Sequence, residues 1–108
     1  MRVKFLKYLL AYCMVAWSAA GFADEGSNVY RQACAICHAV GVSGIPGVPK
    51  LGAQTDWDSR IAAGRPKMLR SVLRGKGVMP PKGGDASLSD AQAEAALDYM
   101  LSKIKVKN

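Results

Sequence analysis

Cys34-Ala35-Ile36-Cys37-His38 is the stretch of this 108-residue chain whose residue types and spacing could do chemistry by themselves. Two thiols three positions apart, with an imidazole directly after the second, form the attachment signal of a c-type haem. Each thiol can add to one vinyl group of the porphyrin. His38 then lies where its imidazole can take one axial position on the iron, so linkage and ligation come from five consecutive residues. A thioredoxin-like redox pair shares the thiol spacing but expects a surrounding βαβ pattern, which the chain lacks. A structural zinc site needs about four ligands; here there are one CxxC, one histidine and Cys13. Chance occurrence in a disordered or core segment is the remaining reading, and the flanking sequence argues against it.

His38 is the single histidine, so the opposite face of the iron needs a different residue type. Methionine is the next candidate, and His/Met ligation raises the potential of haem c. Beyond the N-terminal segment the chain offers Met68, Met79 and Met100. Met100 falls on an apolar helical stripe and reads as core; Met68, beside Lys67 and close to Arg70, reads as core or half-exposed. Met79 sits in Gly77-Val78-Met79-Pro80-Pro81, where the prolines fix the backbone after it and Gly77 permits a turn before it. A flexible thioether on a stiff loop can be aimed at a metal with little ordering cost. The alternative for Met79 is a loop residue that covers the core, which leaves an open iron site bound by water.

The elements that must position these groups follow from pattern. Arg2, Lys4 and Lys7 precede a ten-residue apolar run from Tyr8 to Trp17, and Gly21-Phe22-Ala23 ends in a small residue. This predicts a secretory signal over 1–23, cleaved after Ala23, where Asp24 and Glu25 mark an abrupt polar change, with Ala20 as the alternative site; the run is too short to span a bilayer, and an uncleaved membrane anchor is the competing reading. Residues 24–108 then form one domain and hold all eight acids and twelve of the fifteen basic residues, a net charge of +4. That is too modest and scattered for nucleic acid. Export implies an oxidising, periplasmic setting, yet both remaining cysteines lie inside the motif. So short a domain has a thin core, and a buried covalent haem would supplement it.

A first helix is predicted over Asp24–Ala33, with Gly26, Val29, Tyr30 and Ala33 on one face. A glycine- and proline-rich loop spans Ala39–Gly52. Thr55 and Asp58 fit a cap for a helix over Asp56–Ala63 that stops at Gly64. Pro66 suits the first turn of the next helix, which carries Leu69, Val72 and Leu73 and ends at Gly75. Gly75–Gly84 reads as irregular loop. Ser89 and Gln92 form a capping box for a last helix with acids at its start, Lys103 and Lys105 at its end, and Ala93, Ala96, Leu97, Met100, Leu101 and Ile104 on one buried face. No alternating strand pattern occurs. The expected fold is all-α, about four short helices and long loops around one haem.

These residues, in this order, resemble the class I cytochromes c, and within them the bacterial cytochrome c5 group. The resemblance rests on Val29-Tyr30 and Ala33, the Cys34–His38 motif, Pro49-Lys50-Leu51-Gly52, Trp57 and Arg60, Met79-Pro80-Pro81-Lys82-Gly83, Leu88-Ser89-Asp90 and Asp98-Tyr99-Met100. It implies the small class I cytochrome c fold, with first and last helices crossing so that Gly26 and Tyr30 meet Leu97–Tyr99. It also implies that a proline carbonyl, Pro49 before Pro46, accepts a hydrogen bond from His38. Trp57 and Arg60 are expected near the haem propionates, with ordinary packing as the alternative for Trp57. In one departure, Asp85 and Leu88 stand where members of the group often carry two further cysteines.

The resulting expectation is a soluble periplasmic carrier of one electron on one covalent haem c, bound by Cys34, Cys37, His38 and Met79, with both axial sites filled and no catalytic residues. Lys50, Arg74, Lys76 and Lys82 could surround an exposed haem edge and steer docking to respiratory redox proteins with acidic patches, a membrane-bound oxidase or reductase among them. A monomer or weak dimer is expected. An enzyme or gas sensor with an open axial site, and a haem subunit fixed in a larger respiratory complex, are the competing functional readings.

Overall fold

The computed structural model describes residues 24–42 and 45–104; the expected signal over 1–23 and Lys105 lie outside them. Helix α1 spans 24–38, α2 Gln54–Ala63, α3 Arg65–Arg74 and α4 Asp90–Ser102, with a short 3-10 turn at Pro81–Gly84. Among the described residues there is no strand, only an isolated bridge between Lys76 and Met79. The all-α expectation with four helices holds.

α4 starts where its capping box does, with Ser89 Oγ accepting from the Gln92 amide and the Gln92 side chain accepting from the Ser89 amide. It buries Ala93, Ala96, Leu97 and Met100. Leu97 and Met100 are enclosed almost completely, each contributing about 1.5–3 kcal/mol. α1 crosses this helix at Gly26, where a methyl group would collide with the Ala95 carbonyl. Backbone contact this close leaves room only for glycine. One turn on, Tyr30 packs on Tyr99 with ring centroids 5.1 Å apart. The predicted crossing is therefore present.

α1 departs from expectation by running through the CxxCH motif instead of stopping at Ala33. Its middle, Tyr30–Cys34, is π-helical, and the Ala35 amide donates to the Tyr30 carbonyl five residues back. The wider turn slips the helical register by about one residue. His38, five positions beyond buried Ala33, thereby falls on the buried side.

α2 corrects the expected Thr55 cap. The helix begins at Gln54 after Ala53, with no side-chain cap. The Asp56 carboxylate accepts instead from the Lys50 amide at 3.2 Å, so tertiary contact rather than local capping sets the start. α3 follows after Gly64, with Pro66 in its first turn and Met68 and Val72 buried. Arg65 reaches Glu94 and Asp98 on α4 at 2.7 and 2.8 Å. These side chains are exposed, so each pair is worth at most about 1 kcal/mol. The segment expected to be wholly irregular after Gly75 contains the 3-10 turn at its end, broken by left-handed Lys82 and Gly83.

Candidate functional site

Three segments converge on the motif: the last turn of α1, the 45–51 loop held by α2, and the 75–88 connection between α3 and α4. His38 is buried, with 8% of its surface exposed. Its Nδ1–H donates to the Pro49 carbonyl oxygen at 2.7 Å, which fixes the tautomer and leaves Nε2 as the lone-pair nitrogen. Burial pushes the imidazole pKa down, and the nearby charges of Lys50 and Arg60 act in the same direction against the Pro49 hydrogen bond. The neutral ring required of a metal ligand is therefore the favoured form. Pro49, not Pro46, makes this bond.

The loop carrying Pro49 is held from both sides. Trp57, 3% exposed, donates Nε1–H to the Lys50 carbonyl at 2.8 Å and stacks against the His38 ring with centroids 6.2 Å apart. Arg60 donates to the Asp56 carbonyl at 2.6 Å and the Gly47 carbonyl at 3.0 Å. The Leu51 amide donates to the His38 carbonyl at 2.8 Å. Both side chains thus immobilise the loop that carries Pro49.

On the other side, Met79 is half-buried against the core. Its amide donates to the Lys76 carbonyl at 3.0 Å and its carbonyl accepts from the Lys76 amide at 2.9 Å, closing a tight turn. Gly83 lies so near α1 that a methyl there would strike the Ala33 carbonyl. The loop is thereby pressed against the helix that carries the thiols. Met79 and Cys34 line one apolar cleft together with Val72, Leu88, Met100 and the stem of Lys82. Met68 and Met100 are core residues, as their helical positions suggest.

Two side chains expected to be free docking charges are tied inward. Lys50 Nζ donates to the Cys37 carbonyl at 2.8 Å. Lys82 Nζ donates to the Leu88 carbonyl at 2.8 Å and lies 3.0 Å from Asp90 Oδ1. Sequence gave no sign of either, because a lysine's partner is set by what the fold brings within reach of its four-carbon stem. Arg74 and Lys76 remain exposed.

The residues fit a covalent porphyrin. Cys34 and Cys37 are unpaired thiols one helical turn apart, and burial raises the Cys34 pKa, with Cys37 adding to the shift. A neutral imidazole follows them, and a thioether faces an apolar cleft. Among the described residues no three His, Cys, Asp or Glu side chains converge, so the zinc reading has no ligand set.

The sequence matches the family model described as cytochrome c oxidase, cbb3-type, subunit III over residues 21–100. It is 39% identical over 87 residues to cytochrome c-555 of Chlorobaculum tepidum, covering 77% of this chain and 78% of that protein. The cytochrome c-555 of Chlorobaculum thiosulfatiphilum is 38% identical, covering 77% and 98%. Cytochrome c5 of Azotobacter vinelandii is 35% identical over 82 residues, covering 74% and 95%. Among solved structures, a chain in the crystal structure of an electron transfer complex of nitrite reductase with cytochrome c matches with a TM-score of 0.66 and 42% identity, covering 75% of this chain and 95% of that one.

Proposed function

The chain belongs to the class I c-type cytochromes and carries one covalently attached haem c; on that premise we propose that it is an exported periplasmic electron carrier with His38 and Met79 as axial ligands. Cys34 and Cys37 would hold the porphyrin through thioether links. When bound, haem c supplies an iron that gains and gives up one electron. The protein's part is to keep that iron's surroundings still and dry.

The observation that carries this reading is the His38 imidazole that directly follows the two thiols, buried, neutral and fixed to Pro49 at 2.7 Å; Cys34, four residues before it, lines an apolar cleft with Met79. Pro49, Trp57 and Arg60 hold one ligand, and the Lys76–Met79 turn holds the other. Neither needs to move when the charge on the iron changes, so little reorganisation accompanies transfer. The apolar cleft and the thioether sulfur both favour the reduced iron and raise the potential. With both axial positions filled, no place is left for a substrate. Redox partners dock weakly on such carriers, burying less than about 1,200 Å², and Arg74 and Lys76 supply modest attraction to acidic surfaces. The solved relative in a nitrite reductase complex is in keeping with a redox-enzyme partner.

Carbon monoxide tests the closed site. The purified protein should take up and release one electron per haem and, when reduced, fail to bind carbon monoxide at neutral pH. Ready binding would identify an open iron and turn the assignment to an enzyme or gas sensor. The family description, which names an oxidase subunit, favours one second reading, a haem subunit held in a complex; copurification with oxidase polypeptides would establish it. Export is tested by the mass of the periplasmic protein, which should begin at Asp24.

A further inference from the structure

We propose that Lys82 is a positioning residue for Met79: its ammonium clamps the loop carrying the thioether to the start of α4. The inference rests on Met79 being an axial ligand. Lys82 has φ 54° and ψ 34°, the only non-glycine with positive φ among the described residues. An unbranched, charged side chain has no local reason to accept that left-handed backbone. Its ammonium also lies at the N-terminal end of α4, where the helix dipole disfavours a cation.

Two local penalties at one residue imply a compensating interaction, and the structure contains one. Nζ donates to the Leu88 carbonyl at 2.8 Å and pairs with Asp90 Oδ1 at 3.0 Å, with 22% of the side chain exposed. The stem of Lys82 lines the same cleft as Met79. Pro80 and Pro81 alone separate the two residues and transmit little slack. On the far side Gly83 is seated against Ala33. The stretch from Met79 to Gly83 is therefore held to α1 by contact and to α4 by the lysine. Without the ammonium the α4 attachment is lost, and the thioether is free to swing off the iron while the helices stay folded.

The test uses the haem-loaded protein with Lys82→Asn, which tolerates left-handed φ but lacks the ammonium, and Lys82→Arg, which retains a cation. Asp90→Asn is the milder variant, since its side chain is 75% exposed and it leaves the Leu88 bond in place. Two quantities are measured: the rate at which imidazole displaces methionine from the ferric iron, and the melting of the far-red methionine–iron absorption band alongside that of helical circular dichroism. Lys82→Asn should bind imidazole about tenfold faster or more, the scale of one lost charge-assisted hydrogen bond, and lose the band well below the helix melt. Lys82→Arg should restore most of the difference, and Asp90→Asn should shift it in the same direction by less. Should Lys82→Asn fail to fold, Asp90→Asn decides, and a rate equal to wild type there overturns the clamp. An unchanged rate in Lys82→Asn, or a band that melts together with the helices, overturns it as well. Absence of the band from the wild-type protein would instead refute Met79 ligation, a failure distinct from that of the clamp.

Discussion

Pro49 and Lys50 use adjacent backbone atoms for different ends. Pro49 orients His38 through its carbonyl, while Lys50 is gripped at its amide by Asp56, at its carbonyl by Trp57 and at its ammonium by the Cys37 carbonyl. The orientation of His38 thus depends on a tryptophan that makes no hydrogen bond to it. Trp57→Phe keeps the buried ring but orphans the Lys50 carbonyl, a cost of about 1–3 kcal/mol. Its denaturation midpoint should fall accordingly while the far-red band persists; a wild-type midpoint would show that the loop is held without this bond. The residue types of the candidate site were legible in the sequence because the chemistry demands them: two thiols, an imidazole beside them, a thioether on a rigid loop. The Pro49 bond was legible only through resemblance. The inward turns of Lys50 and Lys82 were not, since nothing in a lysine's neighbours along the chain says which carbonyl the fold will bring within its reach.

Among the elements, the start and buried face of α4 were readable because its cap and most of its apolar stripe are local; its end was not, since the helix stops at Ser102, before Lys103 and Ile104, and Leu101 is only half-buried. The start of α2 was not: Thr55 and Asp58 form a plausible cap, but the Asp56 carboxylate serves the Lys50 amide and the helix begins earlier. The π-helical turn at Tyr30–Cys34 has no composition signature, although it helps bring His38 onto the buried side. The crossing of α1 with α4 depends on Gly26. A methyl there meets backbone, which cannot rotate aside, so Gly26→Ala should cost about 1–3 kcal/mol or more. For a domain of this size that lowers the melting temperature by about 4–8 °C per kcal/mol. Calorimetry showing an unchanged transition would mean that the helices separate at no cost, contrary to the packing described.

For the whole molecule, charge and shape bear differently on partner binding. Residues 24–108 carry a net charge of +4, but two of the four cations expected at the docking edge are tied into internal bonds. Ile36, within the motif, and Val78, beside Met79 in the chain, are 78% and 77% exposed. Attraction to an acidic partner should therefore be weak. Electron-transfer rates with such a partner should fall only a few-fold as ionic strength rises to about 0.15 M, where the screening length is about 8 Å; a steep decline would mean that Lys50 and Lys82 release their internal partners on docking. The loops and helices around the motif hold the proposed ligand pair, His38 and Met79. The most direct test of that pair is the optical spectrum of the ferric protein before and after Met79→Ala. The far-red methionine band should be present in the native protein and absent from the variant, whose reduced form should then bind carbon monoxide. A native protein without the band, or a variant that keeps it, would contradict His38/Met79 ligation.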